Sequence, residues 1–316
     1  MPFSPVFRLT PRLQRQIVAI ERTRGFLNAL DFHVEHRAAL HDSVQISQLN
    51  DAARTRLKDA VSSVNIEGAS LSLEKAFELA RNQNLQPQTA GEAEFLNYLS
   101  AFEAIESYRA PSGKTVWQNL GIGDLLNIHR LIVAGVRGGS RFAGTIRAEN
   151  VVVGDRVEGE EIVHHTPINA MQVRDELDAL FDWINRASVH PNWQEIEAGA
   201  PDLDWVHPVI VAGIAHHRLV WIHPFVDGNG RSARMFTTLL LFARGYDFKY
   251  LFDLSSYYDE NQNKYYDFLR EADRSGDYTC WLEYFLGGFA QQMFQIEASA
   301  KALHARAQQR EFVQQK

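Results

Sequence analysis

Val209-Ile-Val-Ala-Gly-Ile-Ala-His-His-Arg-Leu-Val-Trp-Ile222 runs into His223-Pro-Phe-Val-Asp-Gly-Asn-Gly-Arg-Ser-Ala-Arg234, then into the apolar run Met235 to Arg244, stopped by Gly245. The pattern reads helix, tight loop, helix. Asp227-Gly228-Asn229-Gly230 lets successive backbone N–H groups point inward, because glycine takes conformations that other residues avoid. The loop opens on a helix N-terminus, and amides plus the positive end of the helix dipole make an anion site suited to phosphate. Arg231 and Arg234 are three apart, hence on one helical face, and are expected to clamp phosphate oxygens. Asp227 is a hard oxygen ligand of the kind that Mg²⁺ takes beside nucleotide phosphates. His223, just ahead of the loop, has the side chain best suited to take a proton from a hydroxyl at neutral pH.

Outward from this segment, apolar residues recur three and four apart and few alternate as in a strand, so the fold is expected to be mainly α. Val173, Leu177, Leu180, Phe181 and Ile184 form one stripe over Asn169 to Ala187, with Arg174, Asp175, Glu176 and Asp178 opposite. Phe95, Leu96, Leu99, Phe102 and Ile105 do the same over Glu92 to Tyr108, and Asp124 reads as the N-cap of a helix reaching Val133. The exception is Asn150 to Thr166, where Val151, Val152 and Val153 lead into Gly154-Asp155, a polar turn through Gly159, and Ile162-Val163. That is a β-hairpin, and one with no sheet to complete offers its edge to something else.

The polar stretches Asn82 to Gly91, Ala110 to Gly113 and His190 to Asp204 are expected connections. They suggest an N-terminal helical region (1–110), a core with hairpin and loop (111–250) and C-terminal helices (251–316). Trp281 to Lys316 reads as one or two helices hinged near Gly287-Gly288.

Composition sets the class. With 45% hydrophobic and 22% charged residues, the chain of 316 residues needs neither a disordered nor a fibrous reading. A formal net charge of -7 argues against duplex nucleic acid as the main partner, because that binding needs a basic face. No apolar stretch approaches the roughly 20 residues that span a bilayer, and Met1 to Leu13 lacks a signal-peptide run. The expected location is therefore cytoplasmic, with no membrane partner. The single cysteine, Cys280, cannot form an internal disulfide and reads as a small buried apolar side chain in the run Tyr278 to Phe285. His216-His217 and His164-His165 are adjacent pairs on different faces, so they make no metal pair.

The run His223 to Arg234 fits the pattern His-x-Phe-x-(Asp/Glu)-Gly-Asn-(Gly/Lys)-Arg-x-x-Arg at every fixed position, and in this it resembles the Fic (filamentation-induced-by-cAMP) family. The likeness extends from about Asp51 to Leu286. It implies a Fic-type helical fold with a single β-hairpin flap. It also implies a protein adenylyltransferase, which moves AMP from ATP, with Mg²⁺, to a Ser, Thr or Tyr hydroxyl of a target protein. On this resemblance His223 is the general base and Asp227 holds Mg²⁺ between the α- and β-phosphates. Gly228, Asn229 and Gly230 line the anion hole, Arg231 meets the phosphates, and Arg234 reaches the γ-phosphate. Gly230 favours AMP over phosphate transfer. Tyr257, Asn261 and Tyr265 resemble the family's adenine wall, and Val151, Val152 and Val153 belong to the flap that aligns the target's backbone.

Upstream, Ser63-Val-Asn-Ile-Glu67-Gly68 resembles the family's inhibitory pattern (Ser/Thr)-x-x-x-Glu-(Gly/Asn). Asp51 to Glu67 has helical spacing, with Leu57, Val61 and Val64 apolar and Gly68 at the C′ position. A carboxylate at the negative end of a helix dipole is unfavourable unless a cation meets it. The resemblance supplies Arg234 as that cation, and a Glu67–Arg234 pair would hold the enzyme off. Self-modification and a homodimer stay open. So do two other readings: removal of AMP or transfer of another nucleotide on the same fold, and a non-enzymatic nucleotide-binding module.

Overall fold

The computed structural model describes residues 2–29, 51–82, 84–108, 119–136, 141–157, 160–188, 205–246, 248 and 252–314, with side chains described except at 51, 155–157, 160–162, 299 and 303–314. Its elements are α1 (Pro11–Ala29), α2 (Asp51–Asn65), α3 (Leu73–Arg81), α4 (Ala90–Ile105) with a 3-10 turn Glu106–Tyr108, α5 (Ile122–Ile132), β1 (Val153–Val157), β2 (Glu160–His165), a 3-10 turn Ala170–Gln172, α6 (Val173–Ala187), α7 (Pro208–Ile222), α8 (Asn229–Ala243), α9 (Leu254–Asp259), α10 (Gln262–Ser275) and α11 (Thr279–Gln314). Among the described residues the fold is mainly α with one hairpin, as expected.

The helices α7 and α8 form the centre. Proline at the first turn and His207, whose Nδ1 accepts from the Val209 N–H at 3.4 Å, start α7. Val209, Ile210, Val211 and Ala212 are buried in succession, as they must be in a helix covered on all sides. A Cβ at Gly213 would lie 3.0 Å from Leu282 Cδ2 and from Phe285 Cδ1, so the missing side chain lets α11 close on α7. Trp281 Nε1 donates to the Gly213 carbonyl at 2.7 Å across that contact. At its far end α8 stops at Gly245 (φ 75°), with Tyr246 N–H on Leu241 O at 2.9 Å and Gly245 N–H on Phe242 O at 3.0 Å, a Schellman closure.

Around this pair, α6 and α11 pack on α7, while α5 and α4 pack on α8. The helix α2 lies against α4 and α9, and α1 runs along α11. One continuous core runs from Leu13 to Ala300 and takes residues from all three sequence segments. No helix among the described residues is long and apolar enough to cross a membrane.

The helical stripes stand largely where their spacing put them: Val173, Leu177, Leu180, Phe181 and Ile184 are all buried on α6. Several boundaries move. The cap of α5 is Gly121, and Asp124 sits at the third helical position, where its Oδ2 accepts the Gly121 N–H at 2.7 Å. The inhibitory-type helix stops at Asn65, so Glu67 lies in the turn after it. Strand β1 begins at Val153, and Val151 and Val152 precede the paired segment. The register irregularity between Val153 and Gly154 marks where pairing starts. The helix α11 runs unbroken through Gly287-Gly288, because its neighbours hold it on both sides: a Cβ at Gly288 would meet the Tyr257 ring at 2.3 Å. Cys280 is exposed and not buried, since α11 turns Trp281, Leu282 and Phe285 inward and leaves position 280 on the outer face. The connections Ala110 to Gly113 and His190 to Asp204 lie outside the described residues.

Candidate active site

The end of α7 sets the site. His223 closes the helix in the left-handed region at φ 52°, with its N–H on Leu219 O, a conformation that L side chains adopt at a cost. Its Nδ1 lies 3.3 Å from Val220 O, which fixes the proton on Nδ1 and leaves Nε2 as the acceptor. Burial pushes the imidazole down to about 4, assisted by His165 and Arg147, against the Val220 hydrogen bond and the Glu67 charge. Near pH 7 the ring is therefore neutral and able to accept a proton.

The following loop is clamped from inside. Asn229 Oδ1 accepts the Phe225 N–H at 2.9 Å and Asn229 Nδ2 donates to Phe225 O at 2.9 Å, so this side chain staples the loop rather than facing outward. Phe225 stacks on His129, with centroids 3.6 Å apart and planes 3° from parallel. His129 Nδ1 accepts the Gly144 N–H at 3.0 Å, which leaves Nε2 to donate to Asp227 O at 3.0 Å. Gly228 is left-handed at φ 77°, and a Cβ there would lie 2.7 Å from Val133 Cγ1. The first amides of α8 begin at Asn229 and Gly230, with the carboxylate of Glu67 over them: a Cβ on Gly230 would be 2.2 Å from Glu67 Oε1.

The two arginines do not share a face. Arg231 is 0% exposed, with Nη1 3.1 Å from Glu94 Oε1 and Nη2 donating to Asp227 Oδ1 at 3.3 Å. It cannot clamp phosphate from there, and instead ties the loop carboxylate to α4. Arg234 is turned to α2: Nε donates to Ser63 Oγ at 2.9 Å, and Nη2 to Ser63 O at 2.8 Å and Glu67 Oε1 at 2.7 Å. Burial opposes its charge, but the Glu67 carboxylate prevails and raises its pKa. Gly68 ends this segment at φ 89°.

Asp227 keeps its carboxylate 40% exposed, with Oδ1 accepting the Gly228 N–H at 2.6 Å. One partly exposed carboxylate beside a phosphate-type loop fits a magnesium ligand, since Mg²⁺ retains water and phosphate oxygens for the rest of its octahedron. No group of three or more metal-ligating side chains gathers among the described residues.

The expected adenine wall does not assemble. Tyr265 is 1% exposed, its hydroxyl 2.8 Å from His216 Nε2 and its ring stacked 4.4 Å from Tyr258, inside the core. Asn261 caps α10 by accepting the Lys264 N–H at 3.0 Å. Tyr257 lines a cavity of about 410 Å³ with Arg54, Lys58, Glu260 and Gln291, on the side of α2 formed by its first turns. Aromatic residues at helical spacing pack as core here.

Three contributors escaped the sequence reading. Glu94 left one signal, a charge on the inward stripe of α4. His129 left none. Arg147 also left none: it is 3% exposed, and its Nε donates to His223 O at 2.7 Å.

The comparisons with known proteins concentrate on this region. Residues 119–241 match the Fic/DOC family. Protein adenylyltransferase fic-1 of Caenorhabditis elegans is 31% identical over 127 residues, 40% of this chain and 20% of the relative. Protein adenylyltransferase Fic of Nematostella vectensis is 23% identical over 232 residues, covering 66% of this chain and 47% of the relative. The chain thus spans about half or less of the length of these relatives. A Fic family protein from Desulfovibrio desulfuricans G20 superposes with a TM-score of 0.66 at 22% identity, over 93% of this chain and 76% of that one, which shows a shared fold.

Proposed function

Since residues 119–241 are a Fic domain of the Fic/DOC family, we propose that the chain is a protein adenylyltransferase held off by its own α2 segment. The observation that carries this reading is one arrangement. A neutral imidazole with Nε2 open stands at the head of a phosphate-type loop, while Glu67 occupies the guanidinium and the helix end that a triphosphate needs. The relatives named as protein adenylyltransferases supply the reaction class.

In this mechanism a hydroxyl of the target protein, laid beside the hairpin, approaches the α-phosphorus of ATP. His223 Nε2 takes its proton, the oxygen bonds to the α-phosphorus, and the bond to the β-phosphate oxygen breaks. Pyrophosphate leaves and AMP stays on the target as a phosphodiester. The amides of Gly228, Asn229 and Gly230 face the phosphates, and Arg234, once free of Glu67, meets the γ-phosphate. Asp227 would hold a Mg²⁺ that offsets phosphate charge. Arg231 acts through Asp227. The Val153 to His165 hairpin pairs with no third strand among the described residues, which leaves backbone for an extended target segment.

The test is incubation with α-labelled ATP. Wild type should label weakly, Glu67→Gly strongly, and Glu67→Gly with His223→Ala not at all. Equal labelling by all three would refute both assignments.

A further inference from the structure

Among the described residues, every hydrogen bond of the Arg147 guanidinium ends on a backbone carbonyl. Nε donates to His223 O at 2.7 Å, Nη1 to Glu149 O at 3.0 Å, and Nη2 to Ile168 O at 2.5 Å and Ile222 O at 3.3 Å. Its own N–H donates to Pro224 O at 2.9 Å. Among the described residues no carboxylate pairs with it, and it is 3% exposed. Burying an unpaired cation is a poor route to stability, so stability does not account for the residue.

The identity of the four carbonyls does account for it. Glu149 precedes β1 and Ile168 follows β2, so two bonds hold both feet of the hairpin. Ile222 and His223 are the last residue of α7 and its left-handed cap, so the other two hold the backbone that carries the imidazole. None of these bonds reaches residues 227–234, where the phosphates are expected. A planar fork with fixed donor directions sets such distances more closely than an ammonium on a flexible stem can.

We propose that Arg147 is a positioning residue that bolts the target-docking hairpin to the His223 backbone, so that a hydroxyl presented by the hairpin meets Nε2 in register. The proposal rests on the adenylyltransferase reading. Its consequence is a separation of roles: ATP binding belongs to the loop, and alignment of the target with the base belongs to Arg147. Misplacing a reactant by an ångström costs on the order of a hundredfold in rate, so loss of the bolt should appear in transfer and not in ATP affinity.

The experiment places Arg147→Lys and Arg147→Gln in the Glu67→Gly chain. Three quantities are read: binding of a non-hydrolysable ATP analogue, AMP transfer from α-labelled ATP to the proteins of a cell lysate, and amide hydrogen exchange. Expected are an analogue affinity within about twofold, transfer lowered on the order of 30- to 100-fold for Gln and less for Lys, and faster exchange at 153–157 and 160–165 with α8 unchanged. Transfer at the parent rate in Arg147→Gln would overturn the proposal, as would parallel loss of affinity and transfer, or hairpin exchange that does not change. If Arg147→Gln does not fold, Arg147→Lys decides by the same three readings. Should Glu67→Gly itself move no AMP, the adenylyltransferase reading fails, while hairpin exchange still reports whether the bolt exists.

Discussion

Arg234 Nη2 stands 2.7 Å from Glu67 Oε1 and 2.8 Å from the Ser63 carbonyl, while Nε donates to Ser63 Oγ at 2.9 Å. Two residues four apart, one at the end of a helix and one in the turn after it, thus take an arginine from the catalytic segment at three points. Contacts of this charged kind contribute about 1.5 to 3 kcal/mol each, less where solvent reaches them, as it does at Glu67. On the proposed reading, a lock of this strength would suppress activity and still yield to a binding event.

Ser63→Ala removes one of the three contacts and keeps Glu67. Losing about 1.4 kcal/mol shifts a two-state lock about tenfold, so the rate of labelling from ATP should fall between wild type and Glu67→Gly. A rate equal to wild type would show that the Ser63 hydroxyl takes no part in the lock.

On the proposed mechanism the pH profile follows from His223, which must be neutral to accept the proton. With its pKa at about 4, kcat/KM of the Glu67→Gly chain should stay level from pH 8 to about 5 and fall tenfold per unit in the acid limb. Removing Glu67, whose charge raises the imidazole pKa, moves that limb further toward acid. A limb centred near 6.5 would contradict the burial of this ring.

The buried histidines should draw stability down on mild acidification. His129 is 1% exposed and held at about 4 by burial, so above pH 6.5 it is neutral both folded and unfolded and contributes no pH dependence. Between 6.5 and 4 the unfolded chain gains the proton and the folded chain does not, which costs about 1.4 kcal/mol per pH unit, or about 3 kcal/mol in all. His217, also held at about 4, adds in the same direction. Urea unfolding at pH 7 and pH 5 measures the slope, and higher stability at pH 5 would exclude it.

Glu94 and Arg231 are each 0% exposed, with Glu94 Oε1 3.1 Å from Arg231 Nη1. Glu94→Ala leaves the guanidinium buried and short of a counter-charge, at about 3 kcal/mol. Glu94→Leu with Arg231→Met should recover most of that loss in urea unfolding, yet leave Asp227 without its inner partner and weaken ATP binding. A single substitution costing under about 0.5 kcal/mol would remove the pair from the account of the loop.

Gly228→Ala meets two obstacles, a φ of 77° and Val133 Cγ1 at 2.7 Å from the new Cβ. The strain is about 1 to 2 kcal/mol before the clash, and the loop must open to relieve it. ATP affinity should drop at least about tenfold, by titration with a non-hydrolysable analogue, while α8 stays folded.

What could be read from the sequence was whatever a local period or a contiguous run encodes. Val173 to Ile184 declared its buried stripe by helical spacing, and Asn150 to Thr166 declared a hairpin by its β-branched runs and polar turn, because both signals are local. The twelve residues from His223 to Arg234 could be read as one motif because they are contiguous in the chain. Directions did not follow. Spacing put Arg231 and Arg234 on one face, but three positions subtend about 60° of a helix, enough for one to meet Glu94 on α4 and the other Ser63 on α2. Arg147 was invisible because its partners are carbonyls, which every residue possesses. Tyr265 was misread because an aromatic ring is equally suited to a nucleobase or to another ring. Cys280 was misread because composition around it was apolar while its own helical phase was not.

The order of the chain gives the lock a place in time. Ser63 and Glu67 leave the ribosome well before Arg234, 171 and 167 positions ahead of it. Domains form as synthesis proceeds, so the brake is already present when the nucleotide loop is completed. On the adenylyltransferase reading, a newborn copy would carry the inhibitory segment before it carries the loop that segment restrains.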